Sequence, residues 1–114
     1  MNVHYLEIVT TDVEASCAAY AGAHGVTFGD ADPTLGGART APLGESGKIG
    51  VRAPMHDGET PVTRAYVLVD DLEQAVANAA AAGGQVMVPP MEIPGHGYCA
   101  IYMQGGIEAG LWQL

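Results

Sequence analysis

RAYVLVDDLEQAVANAAAAGG, residues 64–84, reads as a short strand running into a capped helix that stops on paired glycines. The run from Val62 to Val69 is β-branched and aromatic, and Asp70-x-x-Glu73 has the spacing of a capping box. Leu72, Val76, Ala79 and Ala80 then recur at helical spacing. Gly83-Gly84 supply the residue type that ends a helix in a left-handed turn. At an offset of 59 the same signals occur upstream in the same order: a strand at 3–9, a box at Thr11-x-x-Glu14, an apolar stripe of Val13, Cys17, Tyr20 and Ala21, and a stop near Gly25. Identities such as Ala18/Ala77, Gly25/Gly84 and Gly36/Gly95 fall on the same offset, although a chain rich in Ala and Gly yields several by chance.

Three further β-like runs follow each helix, near 26–29, 38–43 and 48–53 in the first half and near 85–88, 98–103 and 107–113 in the second. Gly and Pro separate them, and the tandem Pro89-Pro90 is incompatible with the interior of a central strand. The spacing predicts an α+β fold of two tandem βαβββ modules, about 1–53 and 62–114, joined by a polar linker at 54–61 and sharing a concave cleft. At 114 residues the chain is a single domain's worth, large enough to bury a core without staples.

The composition excludes several functions. A net charge of -9, with only Arg39, Lys48, Arg52 and Arg64 as bases, does not suit a nucleic-acid backbone. Two cysteines without C-x-x-C spacing make neither a disulfide framework nor a redox motif. The opening residues lack a basic region followed by an apolar run, so the expectation is a cytoplasmic protein with no membrane partner. Cys17 falls on the apolar stripe of its helix and reads as core.

The ordered set Tyr5-Leu-Glu-Ile-Val-Thr-Thr-Asp-Val-Glu14, Tyr66-Val-Leu-Val-Asp-Asp-Leu-Glu73 and Gly110-Leu-Trp-Gln113 resembles the vicinal oxygen chelate superfamily, which includes glyoxalase I, bleomycin-resistance proteins, fosfomycin-resistance transferases and extradiol dioxygenases. The resemblance covers essentially the whole chain. It implies a divalent metal held by His and Glu from the first and last strand of each repeat. The matching positions here are Tyr5 and Arg64 on the first strands and residues near Val51 and Gly110 on the last. Arginine, valine and glycine offer no side-chain ligand, so no cofactor is expected at the family's place. A rearranged site using His56, His96 and Glu7 stays open.

Strand alternation puts Tyr5 and Glu7 on one face and, by the repeat, Arg64 and Tyr66 with them, while His4, Leu6 and Ile8 point the other way. Leu6 and Ile8 should pack on helices, which leaves the Tyr5/Glu7 face to the cleft. Glu7 is either a solvated or paired strand residue or a general base; Arg64 either pairs with Glu7 or offers its planar fork to an oxyanion. Glu108, Gly110 and Trp112 share one parity, with Trp112 as core or as an apolar wall and Gly110 leaving room for a ligand. His96 lies in Pro94-Gly-His-Gly-Tyr98, a segment able to bring an imidazole and Tyr98 to a cleft mouth. The expected ligand-binding set is Tyr5, Glu7, Arg64, Tyr66, His96, Tyr98, Glu108 and Trp112. The leading reading is metal-independent binding of a small, partly apolar, anionic ligand by a homodimer. An enzyme of glyoxalase-like lyase, isomerase or dioxygenase-related chemistry, with Glu7 and His96 as base and acid, is the alternative, and a plain interaction module is the third.

Overall fold

A computed structural model describes residues 1–114. Its elements are β1 (Val3–Val9), α1 (Val13–His24), a 3-10 turn (Pro33–Leu35), β2 (Arg39–Leu43), β3 (Gly47–Arg52), β4 (Val62–Leu68), α2 (Leu72–Ala81), β5 (Gln85–Ile93), β6 (Gly97–Gln104) and β7 (Ile107–Gln113). The chain divides into two compact units, Tyr5–Thr63 and Met1–His4 with Arg64–Leu114. Neither helix is long and apolar enough to cross a membrane.

In the Tyr5–Thr63 unit the strand order is β2-β3-β1. The antiparallel β2/β3 hairpin sets Ala41 opposite Ile49, and β1 runs parallel to β3 with Glu7 opposite Gly50 and Val9 opposite Arg52. Ile8, Ile49, Val51, Ala41, Cys17 and Phe28 form the core on the α1 side, and Leu6, Val13, Tyr20 and Ala21 pack against it. The apolar stripe expected for the first helix and the helix-facing side of β1 are thus both observed. Burial also lifts the Cys17 thiol above its usual range, which keeps it protonated and inert.

The strand expected near 26–29 does not form. Val26–Gly29 is irregular chain, fixed by Gly29 N donating to Thr40 O at 2.9 Å and by the buried Phe28 ring. A run this short, followed at once by Asp30 and Asp32-Pro33, gains more from inserting one aromatic into the core than from a ladder. The first half is therefore βαββ.

In the second unit the order is β4-β7-β6-β5, with β4 parallel to β7 and the rest antiparallel. β5 extends past its expected end at Val88, through Pro89-Pro90, to Ile93. The prolines are accommodated because β5 is the edge of this order and its register slips between Val86 and Val88 and again between Val88 and Met91. The α2 core is Leu72, Ala100 and Leu111, joined by Val69, Ala75, Val76 and Tyr102. Ala80, expected on the stripe, is exposed, and Ala75 packs instead.

Both helix starts lie one residue later than the capping boxes suggest. Asp12 and Asp71 are the N-caps and accept from Ala15 N and Gln74 N at 3.3 and 3.1 Å. Aspartate caps at least as well as threonine, and this register leaves Glu14 and Glu73 in the first turn, where the helix dipole favours an acid. Asp71→Ala is expected to destabilise the protein by about 1 kcal/mol in denaturant unfolding, and Asp70→Ala by a few tenths at most. Equal losses from the two would restore the earlier cap.

Candidate functional site

In each unit the strand face turned away from the helix carries a buried arginine. On the Tyr5–Thr63 unit that face is set by β1, whose alternate residues Tyr5, Glu7 and Val9 stand opposite Lys48, Gly50 and Arg52 of β3. The Tyr5 ring lies across Gly50, in the space a Cβ there would need. Arg52 is 3% exposed and nearly all of its donors are used inside the unit. Its Nε donates to Glu7 Oε2 at 2.9 Å, Nη1 to Glu59 Oε1 at 2.7 Å and to Ala53 O at 3.2 Å, and Nη2 to Glu59 Oε2 at 2.7 Å. The Met55 amide donates to the same Glu59 Oε1 at 2.8 Å.

These contacts fix the protonation states around Arg52. Its bonds to Glu59, and then to Glu7, outweigh the cost of burial and hold the guanidinium charged. The Arg52 bonds pull the Glu59 carboxyl down to about 2, with the Met55 amide assisting and burial opposing. Burial, reinforced by Glu7, pushes the Tyr5 phenol well above its usual range, so it stays neutral.

On the second unit the face opposite α2 carries Arg64 and Tyr66 of β4 and Glu108, Gly110 and Trp112 of β7. Arg64 Nη2 donates to Glu108 Oε1 at 2.9 Å, the arginine side chain 8% exposed and the carboxylate 30%. Tyr66 stands edge-on to Trp112, with ring centroids 5.6 Å apart and planes at 89°. Trp112 is 3% exposed, and its indole N–H donates to His96 O at 2.8 Å. The aromatic pair therefore backs this face more than it lines it. Register continues the face through Cys99, Ile101 and Met103 of β6, opposite Trp112, Gly110 and Glu108, and on to Met91 of β5, opposite Cys99. Ile101 and Met103 are half-buried and Met91 is exposed.

The structure thus gathers Arg64, Tyr66, Glu108 and Trp112 on one face, and Tyr5 and Glu7 on one face of the other unit. His96 reaches Trp112 through its backbone carbonyl. Tyr98 is not brought to this face: it stands opposite Gln113, with the parity of Ala100 and Leu111 on the α2 side, and is exposed. The space expected above Gly110 is filled by the Tyr66 ring. In register Gly110 faces Tyr66 as Gly50 faces Glu7, so its counterpart in the first unit is Gly50 and not Val51.

Three contributors escaped sequence reasoning. Arg52 aligns with Leu111 at the repeat offset, so the repeat conceals it; its rarity as one of four bases was the available signal. Glu59 sits in a polar linker and carried no signal. His4 was assigned to the opposite face, yet its ring lies 5.6 Å from that of Trp112. For the metal that the resemblance implies, the residues do not fit: no three His, Cys, Asp or Glu side chains gather as a ligand set. Tyr5 and Arg64 hold the first-strand positions, and Glu7 already accepts from a guanidinium.

This is the fold of the vicinal oxygen chelate superfamily, as the resemblance implied. The chain is 29% identical over 119 aligned residues to the protein named "Putative glyoxylase CFP32" of Mycobacterium tuberculosis, covering 96% of this chain and 44% of that protein's length. Among solved structures it is similar to hypothetical protein BH1468 from Bacillus halodurans, with a TM-score of 0.78, 16% identity and coverage of 99% and 94% of the two chains. It is also similar to methylmalonyl-CoA epimerase from Mycobacterium tuberculosis, with a TM-score of 0.71, 16% identity and coverage of 97% and 86%. No protein-family model matches the chain.

The Glu59 geometry predicts an acid dependence with a definite sign. The carboxyl is held at about 2 in the folded protein against an ordinary 4.5, so its stabilisation is complete above about 4.5 and is lost as pH falls toward 2. Denaturant midpoints measured between about pH 5 and pH 3 are expected to fall more steeply for the wild type than for Glu59→Gln. Parallel profiles would remove Glu59 from the acid response.

Proposed function

We propose that the strand face opposite α2 in the second unit binds a small, partly apolar ligand bearing a carboxylate, and that it does so without a metal ion. The observation that carries this reading is the Arg64–Glu108 pair: a guanidinium almost wholly buried, with a carboxylate partner that is partly open to solvent, on the strand face that half-buried Ile101 and Met103 continue. In a chain of net charge -9, such a guanidinium is a local attractor for an anion. Its planar donors suit a carboxylate, and Ile101, Met103 and Met91 supply apolar contact for the remainder of the ligand. Tyr66 and Trp112 pack edge to face on the same side of the strands.

A second reading, favoured by the named relative and by the epimerase among the structural neighbours, is an enzyme of glyoxalase-like or epimerase-like chemistry with Glu7 as its base. The two readings part on proton exchange. Incubation with methylmalonyl-CoA in D2O, with divalent ions added and with chelator, is expected to incorporate no deuterium. Incorporation abolished by Glu7→Gln would establish the enzyme reading instead.

The binding reading has its own test. Calorimetric titration with aliphatic and aromatic monocarboxylates and with their neutral amides should show binding of the acids alone, unchanged by exhaustive dialysis against EDTA. Arg64→Gln should weaken it about tenfold or more, as the loss of a hydrogen bond to a charged group would. Acids and amides binding alike, or equal affinity in the variant, would refute it.

A further inference from the structure

Arg52 holds Glu59 in the geometry a free carboxylate would adopt. Two terminal nitrogens reach its two oxygens at 2.7 Å each, and the Met55 amide adds a third donor at 2.8 Å. The guanidinium is held by a strand, whereas Glu59 and the Met55 amide belong to the irregular segment that follows it. Arg52 ends β3, its Nε is tied to Glu7, and its Cδ sits 3.1 Å from where a Cβ would project at Gly36, whose φ of +67° also favours glycine. Glu59 belongs to no strand or helix; its amide donates to His56 O at 3.1 Å, and His56, Asp57, Gly58, Thr60 and Pro61 around it are all exposed.

We propose that Arg52 and the Met55 amide form a binding site for a small carboxylate, and that Glu59 is its internal, displaceable occupant. A coplanar pair of oxygens matches the guanidinium fork. Charge selects within the anions: Arg52 already faces Glu7, so a monocarboxylate in place of Glu59 leaves the local charge unchanged. A phosphate dianion would add a negative charge, with only the His56 imidazole near enough to offset it. An occupant on a short arm competes at an effective concentration of roughly millimolar, so a free carboxylate must reach that range or bring further contacts. The inference does not rest on the ligand face of the second unit.

The test vacates the site and then challenges it intact. In Glu59→Ala, formate and acetate should raise Tm saturably by a few degrees; chloride at equal ionic strength should not, and phosphate should do less. In the wild type the same carboxylates should saturably speed amide hydrogen exchange at residues 57–60 as the arm is released. Equal shifts from acetate and chloride in the variant would overturn the proposal, and a phosphate effect matching that of acetate would overturn the ligand class. Unchanged wild-type exchange would make Glu59 a fixed latch and overturn it too; that measurement decides alone should Glu59→Ala fail to fold.

Discussion

A guanidinium taken out of water must meet carboxylates or leave a charge whose desolvation nothing offsets. This chain has three arginines and buries two of them, Arg52 and Arg64. The way each is satisfied organises its unit. Arg52 gathers Glu7 from the first strand and Glu59 from the stretch between strands, while Arg64 gathers Glu108 from the last strand. The polarity is reversed between the units: in one the acid lies on the first strand and the base on the last, and in the other the base comes first.

Both arrangements follow from one structural device, the parallel pairing of a first strand with a last strand, β1 with β3 and β4 with β7. Alternation along those strands sends one set of side chains to a helix and the other set to the opposite face. A tyrosine then lies over a glycine on each pair, Tyr5 on Gly50 and Tyr66 on Gly110, which closes space that a smaller first-strand residue would leave open. The first-strand positions at which the resemblance implies metal ligands hold Tyr5, which packs over Gly50, and Arg64, which pairs with Glu108. On these faces no three His, Cys, Asp or Glu side chains gather as the ligand set of a divalent ion would.

The fold was legible where periodicity is local. The helices, the helix-facing stripe of β1 and six of the seven strands, all but the full length of β5, could be read from alternation and capping residues alone. The remainder depended on tertiary context: Phe28 left its ladder for the core, Pro89-Pro90 entered a strand because that strand is an edge, and the caps moved by one residue because two acceptable cap residues are adjacent. The faces carrying Tyr5, Glu7, Arg64, Glu108 and Trp112 were legible for the same reason as the strands. Arg52 and Glu59 were not, since an ion pair between a strand end and a linker has no periodic signature, and comparison of the halves places a leucine where Arg52 stands. Tyr98 shares the parity of Ala100, and the side this parity faces became legible only with the β6/β7 register and the α2 core.

The central claim, that Arg64 is the anchor for an anionic ligand, is tested most directly at the guanidinium itself. Nitrogen-15 spectra of the arginine Nε–H groups contain three side-chain signals, from Arg39, Arg52 and Arg64, assignable by single Arg→Lys variants. Titration with an apolar monocarboxylate should move the Arg64 signal saturably, with the Trp112 indole N–H following at the same midpoint. An Arg64 signal that stays in place while the ligand binds would contradict the account.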